Sequence, residues 1–550
     1  VVIKVSVFSI LSILSLTLLL MVVGSTLGYA QTCTAPVKTY ANYEDHGDSH
    51  VLVASSSTSS TSSAVGANPT NTPAVLNVVT VLGAAEAWIE LKFVGSTIPA
   101  GSTTYVKIGG SSALNVLNLI GGASSPVSAY SGATSATTIA GQGTQIAAAS
   151  VKVSNFSAAD GSIYLAITSA LAYNAVKIAI NASVIVGTGQ LFIYHAYFQT
   201  AGYSCDPAAG SAPSVSGLLT LGGAVTNPNN AFDNDKSTAT VFSMGVAGVG
   251  TTLKETIYFP GPSNTGDAAT ITFSIPPALL LDLSLLNNIS VTPYNGNVAG
   301  TSVSLTSLLS LDLLALLRAN NKTTVSIVPS STFDRIEISM SSLLGVLAQM
   351  NLYEVQRTAP IPTFVSPAAQ NPSICYNNST TLSATAGTCN ELHWYTVPTG
   401  GTATVAATYS TGNLTSTTTY YVAAARIGCT AESERVPVKV TVNPLPAITP
   451  GNTTVCKGIT TASLPYSAAT NTPTTYSITW NGAATAAGFL NVTDQALVTT
   501  PITLSVPSAA AAATYSGTLT VKNANGCTST TNNFNVVVHP KPLTPHIAIQ

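Results

Sequence analysis

The chain has 550 residues, enough for about four domains of ~150 residues each. Charged residues make up 7% and hydrophobic ones 46%, whereas an average soluble protein carries about 25% charged residues. The net charge of -2, without any basic block, argues against nucleic acid as a partner, and past the N-terminus no apolar run nears the ~20 residues of a spanning helix. Ser, Thr, Ala, Gly and Asn fill the deficit in charge. Thr and Val favour strands and Gly, Asn and Ser favour turns, so the composition suits β-sandwiches.

In chain order, Lys4 precedes an apolar run from Val5 to Val23, and Gly28-Tyr29-Ala30 puts small residues at the -3 and -1 positions of a cleavage site. Residues 1–30 read as a secretory signal peptide cut before Gln31, with an uncleaved anchor as the alternative. The expectation is an extracellular or outer-surface protein without an integral span after cleavage. Seven cysteines in an exported chain permit disulfides, and the odd count leaves one over. Glu44-Asp45-His46-Gly47-Asp48-Ser49-His50 is the densest run of charged and imidazole groups. It reads as a solvated segment, or as ligands for a divalent metal.

The next 300 residues contain a duplication. Trp88–Phe93, Tyr105–Ile108, Val127–Tyr130, Tyr173–Ile178 and Leu191–Tyr194 correspond in order to Lys254–Phe259, Thr270–Phe273, Val291–Tyr294, Phe333–Ile338 and Met350–Tyr353. The offset slides only from 166 to 159. Each landmark alternates apolar and polar residues, the period of a half-buried strand. Residues 31–207 and 208–358 are therefore expected to be two copies of one jelly-roll-like sandwich, with turns such as Asn295-Gly296. The stretch Val303–Leu317 reads as a short helix packed on a sheet, and Asp282 and Asp312 as caps or turns in Leu-rich segments. Tyr194, His195 and Tyr197, like Tyr353 and its neighbours, are core residues or sugar-stacking ones. Asp233-Asn234-Asp235 with Thr238 places hard oxygens at alternate positions, as a structural Ca²⁺ site or as an Asx-rich turn. The first copy has Gly66-Ala67-Asn68 there.

A Pro-rich linker over 359–370 leads to a second duplication. Residues 371–443 carry Cys375, His393-Trp394-Tyr395, Tyr420-Tyr421-Val422 and Gly428-Cys429; residues 444–540 carry Cys456, Trp480, Tyr515 and Gly526-Cys527. One Cys near the first strand, one Trp later and one Cys before the last strand suggest immunoglobulin-like sandwiches with Trp394 and Trp480 in their cores. The repeats suggest disulfides Cys375–Cys429 and Cys456–Cys527, with Cys33–Cys205 as a clasp and Cys389 free or competing for Cys375. Residues 541–550 read as the start of a linker to a further C-terminal region. Stiff linkers such as Asn443-Pro444-Leu445-Pro446 predict domains strung out rather than clustered.

These later Cys, Trp-Tyr, Gly-Gly (Gly400-Gly401), Tyr-Tyr-Val and Gly-Cys residues resemble the immunoglobulin-like and PKD-like domains of large exported proteins of gliding and related bacteria. The first half is similar to a sandwich module found beside such domains, and Asn227–Thr238 resembles the opening of discoidin or galactose-binding jelly rolls. The resemblance implies surface display or adhesion, with delivery by the type IX route through a C-terminal sorting domain.

Catalytic signatures are scarce. The chain contains no Gly-x-Ser-x-Gly, His-Glu-x-x-His or Gly-Lys-Ser/Thr motif, six scattered histidines and 20 acidic residues. Sequons such as Asn378 and Asn413 are incidental in a bacterial reading. The expected function is a secreted or cell-surface adhesion or structural protein without catalysis. It would bind an unidentified surface or glycan ligand and need no cofactor beyond that structural Ca²⁺. The alternative is a carbohydrate-binding accessory protein of a polysaccharide-degrading system.

Overall fold

The computed structural model describes residues 33–68, 70–110, 126–182, 187–205, 207–217, 222–245, 250–276, 283–308, 322–341 and 349–541. Residues 1–30, read above as a signal peptide, Asp282, Asp312 and the tail from 542 lie outside them. The chain is all-β and forms two compact units. One comprises the chain up to Pro362 with Ala386–Glu391 and Ala423–Glu434; the other holds Thr363–Thr385, Leu392–Val422 and the chain from Arg435.

The first copy of the sandwich consists of β1 (Lys38–Tyr40), β2 (Tyr43–Ser59), β3 (Ala74–Lys92), β4 (Thr103–Gly109), β5 (Val127–Ser131), β6 (Thr144–Gln145), β7 (Val151–Ser157), β8 (Ile163–Ser169), β9 (Ala175–Ala182) and β10 (Gly187–Gln199). Strand β3 serves both sheets: its first half pairs with β10 and its second half with β9. Alternation puts Leu76, Val78, Ile89 and Leu91 in the core with Val106, Ile108, Leu165, Ile178 and Ile193. Where β3 changes sheets, Gly83 and Leu52 adopt positive φ, and Val51, Leu52, Val53, Val81 and Leu82 are all more than half exposed.

The second copy consists of β11 (Gly210–Ser216), β12 (Ala224–Thr226), β13 (Thr240–Ser243), β14 (Thr252–Tyr258), β15 (Ala268–Ser274), β16 (Ile289–Asn295), β17 (Val298–Ala299), β18 (Val303–Ser304), β19 (Thr323–Ile327), β20 (Arg335–Ser341) and β21 (Gln349–Thr358). Strand pairs recur at matching landmark positions in the two sets of strands. Trp88 faces Ala179 as Lys254 faces Ser339, and Tyr130 faces Ala175 as Tyr294 faces Arg335. A β-bulge interrupts β10 between Ile193 and His195, and the same irregularity skips Tyr353 on β21. Strands β13 and β14 stand where the two halves of β3 stand. Ser60 and Asn227, both left-handed, each precede a short 3-10 turn. Of the stretch expected as a helix, Leu305–Leu308 is α-helical, and residues 309–321 lie outside the described ones.

Strand β14 places Glu255 on the same face as Leu253 and Ile257, toward the core, and the residue is fully buried. Burial pushes its carboxyl up to about 8 against a weaker pull from the Ser211 hydroxyl. The unfolded chain ionises this group near pH 4.5 while the folded chain keeps the proton, so stability is fully present below that pH. It falls as pH rises towards 8. Glu255→Gln is expected to stabilise the first unit by about 2–3 kcal/mol at pH 7 and to change nothing near pH 4. Urea unfolding at the two pH values checks this, and equal effects at both would contradict it.

The third sandwich has β22 (Ser373–Cys375), β23 (Thr381–Ser383), β24 (Asn390–Tyr395), β25 (Thr404–Val405), β26 (Thr408–Ser410), β27 (Thr418–Arg426) and β28 (Val436–Asn443). The fourth has β29 (Ala447–Pro450), β30 (Thr453–Cys456), β31 (Thr461–Leu464), β32 (Tyr466–Thr470), β33 (Pro473–Trp480), β34 (Val492–Ala496), β35 (Ile502–Ser505), β36 (Ala513–Asn523) and β37 (Asn532–His539). Their main sheets have one plan, β22-β28-β27-β24-β25 and β30-β37-β36-β33-β34, with the first strand parallel to the last. Trp394 and Trp480 are buried, and their indole nitrogens donate to Ala406 O and Leu490 O. Segments 386–391 and 423–434 of the third sandwich belong to the first unit.

Candidate functional site

The first two sandwiches share a buried seam. Strand β11 pairs with β7 through Ser211 and Ser157, which joins their sheets. A Cβ on Gly210 would meet Ser157 O at 2.3 Å, so glycine is required for this approach. Tyr105, Phe156, Tyr197 and Tyr258 fill the seam, with Phe156 stacked on Tyr258 at 4.6 Å. The Tyr105 hydroxyl donates to Phe259 O at 3.0 Å.

A buried ion pair closes the seam. Arg335 Nε donates to Asp334 Oδ1 at 2.9 Å, and the guanidinium lies 4.8 Å from the Tyr258 ring centroid. Asp334 also accepts from Thr103 Oγ1 at 2.5 Å and from Gly296 N at 3.1 Å, while Arg335 donates to Ser154 Oγ at 3.0 Å. Thr103 and Ser154 belong to the first sandwich and the ion pair to the second, so one bonded cluster spans both. The neighbouring Asp334 carboxylate holds the Arg335 guanidinium in its charged form despite burial. Neither residue is singled out by the sequence pattern, because an Asp-Arg pair next to a strand is an unremarkable surface motif.

The second cluster lies around the cysteines, and here all three expected pairings are corrected. The structure pairs Cys33 with Cys389, Cys205 with Cys429 and Cys375 with Cys527, and Cys456 is free and exposed. The reason is strand length. Cys375 faces Asn443 at the end of β28, whereas Cys429 lies before its start at Val436. The eight residues between span roughly 23 Å, far beyond the ~7 Å limit between bridged Cα atoms. Cys456 and Cys527 are separated by β37 in the same way. Cys33 and Cys205 do lie near each other, beyond the paired ends Lys38 and Gln199. Cys389 and Cys429 are neighbours too, since Ile427 N donates to Cys389 O at 3.3 Å. The four thiols therefore meet as two pairs and join as two parallel bridges.

Arg426 reinforces this clamp. It donates to Ser204 O at 2.8 Å and to the Asp267 carboxylate. Beside Cys205–Cys429 lies a cavity of about 80 Å³ lined by Asn234, Glu354, Arg357 and Arg426. Burial and the nearby Asp233 carboxylate push Glu354 up to about 8. The Asp233 loop adjoins this cavity, but its oxygens are used internally. Asp233 Oδ1 accepts from Asp235 N at 2.8 Å, its Oδ2 from Thr238 Oγ1 at 2.6 Å, and Asp235 Oδ1 from Ser237 N at 2.8 Å. Such bonds define Asx turns. Among the described residues no group of three or more His, Cys, Asp or Glu is arranged to hold a metal. The Glu44–His50 run lies on β2, where Asp45 turns inward to sit 3.7 Å from buried Lys92, and His46 Nδ1 bonds Glu44 Oε2 at 2.9 Å.

On β10, Tyr197 is buried in the seam, while His195 joins Tyr40 of β1 and Tyr164 of β8 in a half-buried strip, with centroids 5.7 Å apart for Tyr40 and His195 and 6.2 Å for Tyr164 and His195. Burial, with Lys107 and Lys38 nearby, lowers His195 to about 4, so the strip is uncharged at neutral pH.

No curated protein matches the chain. Solved structures with some similarity include fibronectin(III)-like modules of Clostridium thermocellum CbhA, at 14% identity, TM-score 0.22, 34% of this chain and 100% of that one. Others are three N-terminal domains of the bacteriophage RB49 outer capsid protein Hoc (12%, TM-score 0.23, 55% and 99%) and the FN1–FN3 domains of chicken CNTN1 (10%, TM-score 0.23, 54% and 96%). Among the described residues no helix is long and apolar enough to cross a membrane. Residues 362–444, which include the third sandwich, match the family described as Ig-like domain, CHU_C associated.

Proposed function

We propose that the chain is a secreted or cell-surface multidomain protein with a structural and adhesive role and no catalysis. The observation that carries this reading is the pattern of disulfides. All three join residues more than 150 positions apart, and they link separate sandwiches rather than the sheets of one. Such bonds persist in oxidising surroundings outside the cytosol, and they brace a multidomain chain against unfolding. The CHU_C-associated domain supports surface placement. The exposed apolar corner formed by Val51–Val53, Val81 and Leu82 supplies a surface suited to attachment.

A second reading, carbohydrate binding, is favoured by the half-buried Tyr40–His195–Tyr164 strip, since aromatic faces stack on sugars. One comparison separates the two. A glycan array probed with the full chain, with and without calcium, is expected to stay blank, while attachment of producing cells drops several-fold with Leu52→Asp and Leu82→Asp at an unchanged Tm. Glycan binding abolished by Tyr164→Ala would overturn the first reading in favour of the second. A calcium-dependent rise in Tm that is lost in Asp233→Ala would assign the Asp233 loop to a metal.

A further inference from the structure

Strand β3 carries a buried charged cluster on the face turned away from the sandwich core. Alternation sends Ala87, Ile89 and Leu91 into the core and Trp88, Glu90 and Lys92 to the opposite face. Glu90 and Lys92 are nonetheless fully buried. Strand β2 adds Asp45 to that face, because Asp45 pairs with Glu90 and Tyr43 with Lys92. Residues 136–141 close over the cluster. Lys92 Nζ donates to Ala136 O at 2.9 Å and to Gly141 O at 3.2 Å. A Cβ on Gly141 would meet Ala136 O at 2.1 Å, so glycine is what lets this loop close so tightly.

Lys92 Nζ is thereby held 3.7 Å from Asp45 Oδ2 and 3.7 Å from Glu90 Oε2. The Lys92 side chain is 1% exposed, that of Asp45 8% and that of Glu90 0%. Asp45 is fixed as well: Oδ1 accepts from His46 N at 3.0 Å and Oδ2 from Gln142 Nε2 at 3.3 Å. Among the described residues neither Glu90 oxygen has a hydrogen-bond partner. Burial pushes the Glu90 carboxyl up to about 7 against the pull of Lys92, so near neutral pH it both takes up and releases a proton.

An ion pair alone does not account for this arrangement. One cation against two carboxylates leaves Glu90 buried and unsatisfied, which is costly. The matching strand pair of the second sandwich holds no such cluster. There β11 and β14 put Ala212 opposite Thr256 and Gly210 opposite Tyr258.

We infer that Asp45 and Lys92 join in an intramolecular isopeptide bond, with Glu90 carrying the protons. Lys92 Nζ attacks Asp45 Cγ, and the new C–N bond forms as one carboxylate C–O bond breaks. The ammonium gives up two protons in succession. Glu90 takes each and hands it to the departing Asp45 oxygen, which leaves as water. One ammonium and one carboxylate thus become one amide and one water, Glu90 ends as it began, and no oxidant is needed. Folding supplies the proximity that such a condensation lacks in solution. The bond staples the long edge strand β2 to β3.

The test is intact-mass spectrometry of the full chain, denatured and with its disulfides reduced, followed by digestion and fragmentation. The chain is expected to be lighter by one water than the sequence between its termini requires. A branched peptide is expected to join the Asp45 segment to the Lys92 segment. Lys92→Arg and Asp45→Ala each restore the full mass. So does Glu90→Gln, which keeps both linked residues and removes only the proton carrier. The branched peptide of the parent chain decides the bond whether or not any variant folds. A parent chain of full mass, a lost water without that branched peptide, or a bond that still forms in Glu90→Gln would each overturn the inference.

Discussion

Replacing Cys205 and Cys429 together by serine lowers the stability of the first unit by about 3–5 kcal/mol and makes residues 423–434 accessible to protease. The bond closes a separation of 224 residues, and the entropy withheld from the unfolded chain grows with that length. It also seals one side of the cavity lined by Glu354 and Arg426. Without the bond, Arg426 still reaches Ser204 O and the Asp267 carboxylate. The segment therefore loosens rather than detaching outright. Calorimetric melting, together with limited proteolysis, reads both effects. An unchanged Tm and unchanged cleavage would show that the clamp adds nothing to packing.

The second large effect is at the seam. Asp334→Ala is expected to cost about 3–5 kcal/mol, because it strands a buried guanidinium and removes the acceptor of Thr103 and Gly296. Converting both Asp334 and Arg335 to apolar residues, as Asp334→Leu with Arg335→Met, is expected to cost clearly less than the single change. A pair removed together leaves no uncompensated charge. Urea unfolding of the two variants measures the difference. A single variant within about 1 kcal/mol of the parent would mean that the pair is solvated and the seam open.

Much of this architecture is legible in the sequence because period-two alternation survives duplication. The five landmarks of the first duplication fall on β3, β4, β5, β9 and β10 and on their counterparts, and the pairing between them repeats residue by residue. Strand β2 is not legible in that way. From Ser49 to Ser59 it is mostly polar and exposed, and it forms because β3 offers it a long edge. The bulges at Tyr194 and Tyr353 are also hidden, since inserting one residue flips the alternation that would reveal them.

The cysteines mislead for a different reason. Their spacing marks the ends of strands but not which end faces which neighbour. Cys375 and Cys429 are 54 positions apart in the sequence and yet sit at opposite ends of β28. Asp334 and Arg335 carry no signal at all, because their importance comes from Thr103 and Ser154 in another sandwich. The Asp233 loop is legible as a cluster of oxygens, whereas its Asx-turn bonds are not, because they depend on the backbone conformation of Asp235 and Ser237.

The account stands on disulfides that join sandwiches to one another. Peptide mapping of the protein under non-reducing conditions tests it most directly. It predicts linked peptides containing Cys33 with Cys389, Cys205 with Cys429 and Cys375 with Cys527. Linked peptides containing Cys375 with Cys429, Cys456 with Cys527 and Cys33 with Cys205 would contradict it, and would return each sandwich to a self-contained unit.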